Sequence, residues 1–205
     1  MSRRYSLIVL VVFLFSMGGA LGNIEKLAYP CATGFCFVWW PKLPAVEGWH
    51  QEEDSSREYS SNCLAPDGST FADAETVMYA RAMYKPRTPE IHSVEELIKS
   101  DRQGFLDSNP ETVISPAAMI STGDEQRFRS FTFFPKTTGN WERVSYGEED
   151  DFFLIFTISS RSQNGYRKSL PAYQMLIERY RKHITESGPD KTAMDPVDES
   201  HAPAK

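Results

Sequence analysis

The sequence predicts an α+β fold, with one antiparallel β-sheet covered by two amphipathic helices in a single domain. Three observations carry this. Strand-like segments crowd residues 126–160, with links short enough to make antiparallel hairpins. Two stretches, 92–106 and 169–184, carry apolar residues at helical period. The roughly 160 residues between an N-terminal export signal and a polar tail are enough for one core and too few to favour two domains.

Arg3 and Arg4 precede an apolar run from Leu7 to Phe15, and small residues follow at 16–22. A basic start, a short apolar core and small residues before a polar stretch make a secretory signal peptide, assigned to residues 1–22. Ala20 and Gly22 suit the cleavage positions, which places cleavage before Asn23, with cleavage after Ala20 as the alternative. An uncleaved anchor is the other reading, but the apolar core falls short of the ~20 residues that span a bilayer. Residues 23–186 then form the α+β domain, and 187–205, rich in Gly, Pro, Asp, Ser and Ala without apolar period, form a disordered tail.

Within the domain, "CATGFC" holds Cys31 and Cys36 around Gly34. In an oxidising compartment two of the three cysteines are expected to pair. Cys31–Cys36 is the favoured disulfide, and Cys63 with either partner stays open. "CFVWWPKLP" reads as a strand ended by Pro41 and Pro44. "YSSNCLAPDGSTF" gives another, followed by a tight turn at Pro66-Asp67-Gly68. "AETVMYARAMYK" returns as a long strand with Met78, Ala80, Ala82 and Tyr84 on one face, where the alanines leave room for a helix.

The next segment, "HSVEELIKSDRQGFL", is expected to be that helix. Ser93 and Glu96 stand at capping-box spacing, Val94, Leu97, Ile98 and Phe105 share a face, and Asn109-Pro110 stops it. "QRFRSFTFF", "WERVSYG" and "DFFLIFTISS" follow as hairpin-linked strands, separated by Thr138-Gly139-Asn140 and then by Gly147 with the acidic run Glu148–Asp151. The last strand is apolar on both faces, with Phe152, Leu154, Phe156 and Ile158 on one and Phe153 and Ile155 on the other, so it belongs mid-sheet and covered on both sides. The four carboxylates read as a soluble hairpin tip whose side chains splay into water, since calcium loops need alternating ligands and charge runs are usually solvated. The closing helix is expected to start at Ser169 with Pro171 in its first turn, turning Ala172, Met175, Leu176 and Tyr180 to the sheet and Glu178, Arg181 and Lys182 to solvent.

The order of these elements, carried by "SVEELIKSDRQGF" and "RFRSFTFF…WERVSYGEEDDFFLIFTISS…PAYQMLIERY", resembles the PsbP-like superfamily. That superfamily includes photosystem extrinsic subunits, a nuclear import factor and periplasmic DcrB-type proteins. The resemblance implies a sheet covered by helices and a binding or assembly role, and it transfers no catalytic residue. The Trp-rich segment around residues 31–50 exceeds what that layout requires.

No G-x-S-x-G, S-x-x-K, phosphate-binding glycine loop or H-E-x-x-H occurs in the mature chain. His50, His92, His183 and His201 are scattered, and C-x4-C is neither a redox nor a zinc-ribbon spacing. No catalytic residue, metal or cofactor is therefore assigned. Removing Arg3 and Arg4 leaves 20 of the 22 Lys and Arg against 28 Asp and Glu. So acidic a chain, without a basic run, argues against nucleic-acid binding. No second segment is long and apolar enough for stable membrane insertion after cleavage. The candidate binding residues are Trp39, Trp40, Trp49 and Tyr59, stiff aromatics near Pro41 and Pro44 that suit a platform for a sugar, a peptide or a protein. The competing reading fills the core with them. The expected function is an exported, non-catalytic binding or assembly module of the cell envelope, partnered by an envelope protein or ligand. The alternative is an envelope hydrolase using Asp and Glu as acid and base, through convergence of Glu75 or Asp101 with Glu142.

Overall fold

A computed structural model describes residues 24–31 and 34–181. The assigned signal peptide and tail lie outside the described residues. Nine strands among the described residues form one antiparallel sheet. They are β1 (Ile24–Cys31), β2 (Gly34–Pro41), β3 (Trp49–Gln51), β4 (Asn62–Pro66), β5 (Thr76–Tyr84), β6 (Val113–Ser121), β7 (Arg127–Phe134), β8 (Trp141–Glu149) and β9 (Phe152–Ser160). The order across the sheet is β1-β2-β5-β9-β8-β7-β6, with β4 also pairing β5 and β3 pairing β4. Three helices accompany it: α1 (Glu53–Tyr59), α2 (Val94–Ser108) and α3 (Gln163–Arg179). The α+β class and the single domain are as the sequence predicts.

All nine residues of β9 are buried at the middle of the sheet. Its alternation splits the apolar interior in two. Phe152, Leu154, Phe156 and Ile158 pack with Tyr173, Leu176 and Ile177 of α3 and with Tyr180 just after it, whereas Phe153 and Ile155 pack with Leu97 and Ile98 of α2. The helices therefore cover opposite faces. Met78, Ala80 and Ala82 of β5 lie under α3, not under α2 as the sequence suggested. The reason is register: these residues pair with Ile158, Phe156 and Leu154 and share their face. The α2 N-terminus forms as expected, with Ser93 Oγ accepting from Glu96 N–H at 3.2 Å.

Helix α3 begins earlier than the sequence implied. Ser162 is its N-cap, accepting from Gly165 N–H at 2.9 Å, and Pro171 sits inside the helix. Pro171 is exposed, so the backbone bond it cannot make is lost on the solvent side. Consequently Tyr173 and Ile177 face the sheet, while Met175 is exposed.

The acidic run is also only partly a turn. Gly147, Glu148 and Glu149 continue β8, pairing with Leu154, Phe153 and Phe152, and only Asp150 and Asp151 form the tip. Strand alternation sends Glu148 outward, where it meets Lys85 Nζ at 3.1 Å. It sends Glu149 inward. Glu149 is 1% exposed and accepts from the Tyr180 hydroxyl at 2.8 Å, so the expectation that all four carboxylates splay into water fails at this residue.

Candidate functional site

The two faces of the sheet differ in how far their apolar pattern runs. On the α3 side β9 stays apolar to Ile158. On the α2 side Phe153 and Ile155 give way to Thr157 and Ser159, and on the paired strand Tyr146 and Val144 give way to Glu142. Helix α2 packs on the apolar half. The polar half becomes the floor of an open groove of about 470 Å³.

Val77, Tyr79 and Arg81 of β5, Ser159 of β9 and Glu142 of β8 line this groove from below. Tyr59 and Cys63 bound one side, Phe71 and Glu75 another, and Asn140 and Arg161 complete it. Helix α1 presents Tyr59. It is held by Ser56, whose hydroxyl donates to Glu52 O at 2.6 Å and accepts from Cys63 N–H at 2.9 Å. Tyr59 is 55% exposed and packs against Phe71 with ring centroids 5.5 Å apart. Phe71 in turn meets Tyr79 edge-on at 6.2 Å, so three rings form one wall.

Opposite the rings stands a polar row. Asn140 Nδ2 donates to Ser159 Oγ at 3.1 Å, and the Ser159 hydroxyl donates to Glu142 Oε1 at 2.6 Å. Burial pushes the Glu142 carboxyl above its usual 4.5, the bonds from Ser159 and Asn140 pull it back in part, and the Asp101 charge adds to the rise. Burial likewise raises Tyr79, with the Glu142 charge acting in the same direction. Asp101, on α2, accepts from the Tyr146 hydroxyl at 2.9 Å and lies 3.7 Å from Arg81. The Cys63 thiol is pushed up to about 12, chiefly by burial, which disfavours the thiolate.

No protein-family model matches the chain, and no curated protein matches it. Among solved structures it is similar to the solution structure of cyanobacterial PsbP (CyanoP) from Synechocystis sp. PCC 6803. Identity is 9% over 83% of this chain and 99% of that one, with a TM-score of 0.39. Nothing about ligand, partner or residue roles passes from that protein to this one at such a score.

The four aromatic candidates do not gather into one platform. Trp39 and Trp40 point to opposite sides of β2, yet both are buried, at 7% and 4% exposure. Trp39 packs with Tyr84 and Phe152, under the Arg87 guanidinium 4.5 Å from its ring. Trp40 borders a separate cavity with Glu25, Gln51 and Arg57, and Trp49 packs against the α3-side core. Only Tyr59 belongs to the groove. The carboxylates named for the alternative function come together better: Glu75 and Glu142 line the same groove, and Asp101 acts on Glu142 from its α2 side. The Glu75 carboxylate accepts from the Ser162 hydroxyl at the start of α3.

Sequence reasoning missed Phe71, Tyr79, Asn140 and Ser159. A signal for two of them existed, since the α2-side face of β9 turns polar at Thr157 and Ser159, and Asn140 sits at the loop leading into the paired strand. Among the described residues no group of three or more His, Cys, Asp or Glu side chains is placed to hold a metal ion, and no helix is long and apolar enough to cross a membrane.

Proposed function

We propose that this chain is an exported, non-catalytic binding or assembly module of the cell envelope, and that it takes its ligand in the groove beside α2. The observation that carries this is the half-covered sheet face, where polar and aromatic side chains line an open groove and are already held in place by one another. Preformed concave sites with a few convergent polar groups are the usual form of a ligand site. The N-terminal segment 1–22 supports export.

An oxidising destination also favours a Cys31–Cys36 disulfide. Cys63 is a free, fully buried thiol, which supports the reading of these two as the pair. Residue 31 pairs with 34 and residue 36 with 29, so the two positions are diagonal neighbours on one face of the β1–β2 hairpin. A non-reduced digest of the exported protein is expected to contain a peptide joining them; two free thiols there would refute the pairing.

The test of function is affinity capture from envelope extract, with the bound protein and glycan identified by mass spectrometry. Capture is expected to depend on Tyr59, whose replacement by Ala should abolish it while leaving the melting temperature in place. Capture that survives Tyr59→Ala would move the binding surface elsewhere. A second reading, an envelope hydrolase, is favoured by one observation: burial raises the pKa of Glu142 in a groove that Glu75 also lines, as suits a general acid. Turnover of an envelope glycan, lost in Glu142→Gln with binding retained, would replace the non-catalytic reading.

A further inference from the structure

We infer that the groove binds a neutral oligosaccharide, seated between the wall of Tyr59, Phe71 and Tyr79 and the row of Asn140, Ser159 and Glu142. This deepens the binding-module reading and rests on it. A pyranose ring presents C–H groups on its faces and hydroxyls around its edge. The aromatic wall offers a flat apolar surface to the first, and Tyr59 already stands 55% exposed at its outer end.

The polar row suits the second. Ser159 gives its proton to Glu142 and takes one from Asn140, so its own capacity is largely spent. Asn140 also bonds to Glu142, so what remains for a ligand is the amide oxygen of Asn140 and the other oxygen of Glu142. These planar groups hold acceptors to which the vicinal hydroxyls of a sugar can donate.

The charges of the groove argue for a neutral ligand. Arg161 donates to the carbonyls of Ala72 and Asp73, Arg81 faces Asp101, and Glu75 is engaged by Ser162. An ionic ligand would have to displace one of these contacts. An extended peptide is disfavoured for a different reason. The floor consists of β5, β9 and β8, each paired on both sides, so no open strand edge is available for backbone pairing. The volume of about 470 Å³ lies within the range of small-ligand clefts. A second cavity of about 280 Å³ shares Tyr59 and Arg81 with the first.

The test is calorimetric titration of the full exported chain with chitotriose, maltotriose and mannotriose. At least one should bind saturably, and Tyr59→Ala and Asn140→Ala should each weaken it about tenfold, the loss of a stacking face or a hydrogen bond. Both side chains are exposed, so neither variant should lower the melting temperature. Failure of all three sugars to bind, or equal binding by the variants, overturns the inference. If the sugars fail but an envelope protein is still captured through Tyr59, the binding-module reading survives without the sugar. If neither binds, both fall.

Discussion

Glu142 concentrates the chemistry of the groove in one side chain. Its carboxyl is half-buried, and burial raises its pKa above the usual 4.5. The folded state therefore binds the proton more tightly than the unfolded state does. Stability from this linkage is fully present below the unfolded pKa and is lost as the pH rises through the higher folded value. Glu142→Gln keeps the shape and an acceptor for Ser159 but cannot ionise. The variant should match the wild type in acid and become the more stable of the two as the pH rises, with the gap levelling off once Glu142 is ionised. Urea midpoints measured from about pH 4 to pH 8 check this. Parallel curves for the two proteins would mean that Glu142 titrates as it does in water.

At the scale of elements, the β8–β9 hairpin separates what sequence can and cannot show. A run of four acids reads as solvated, yet one of them is a strand residue on the buried face. Replacing Glu149 with Ala strips the buried Tyr180 hydroxyl of an acceptor and should cost about 1–3 kcal/mol. Changing Glu148 and Asp151 to Ser and Asp150 to Asn should cost no more than about 1 kcal/mol, since the Lys85–Glu148 pair is at the surface and Asn tolerates the left-handed backbone at 150. Thermal melts of the two variants compare the costs directly, and equal destabilisation would refute the division. Gly147 carries a related lesson. It reads as part of a turn, but it lies within β8, where a Cβ would stand 2.4 Å from the Phe128 ring. The alternating strands β5, β7 and β8 and the continuously apolar β9 were legible in the sequence, as was the capped start of α2. β6 was not, because Pro116 and its small neighbours break the pattern, which an edge strand tolerates. Nor was α1, seven residues with one buried side chain, Ser56, and no apolar period.

Across the whole molecule, β9 joins the two apolar layers that its own alternation creates. The α3-side core holds Phe152, Leu154, Phe156 and Ile158, and the α2-side core holds Phe153 and Ile155. Neither helix can leave without exposing a face of the strand that the other layer depends on. The sequence revealed this two-sided strand but assigned the wrong helix to the alanine face, because adjacency along the chain does not fix the side of the sheet on which a helix lands. The groove was illegible for a similar reason: its residues come from α1, β4, β5, β8, β9 and the loops between elements, and only the tertiary fold brings them together. Shared dependence on β9 has a measurable consequence. Leu97→Ala on the α2 side and Leu176→Ala on the α3 side should each cost about 2–5 kcal/mol. Of the four tryptophans, Trp39, Trp49 and Trp141 pack in or against the α3-side core. If the domain unfolds as one unit, Leu97→Ala should lower the tryptophan-fluorescence midpoint by as much as the far-ultraviolet dichroism midpoint, although these three indoles lie on the other side of the sheet. An early dichroism phase in Leu97→Ala, with the fluorescence midpoint unmoved, would show that the α2 layer opens by itself.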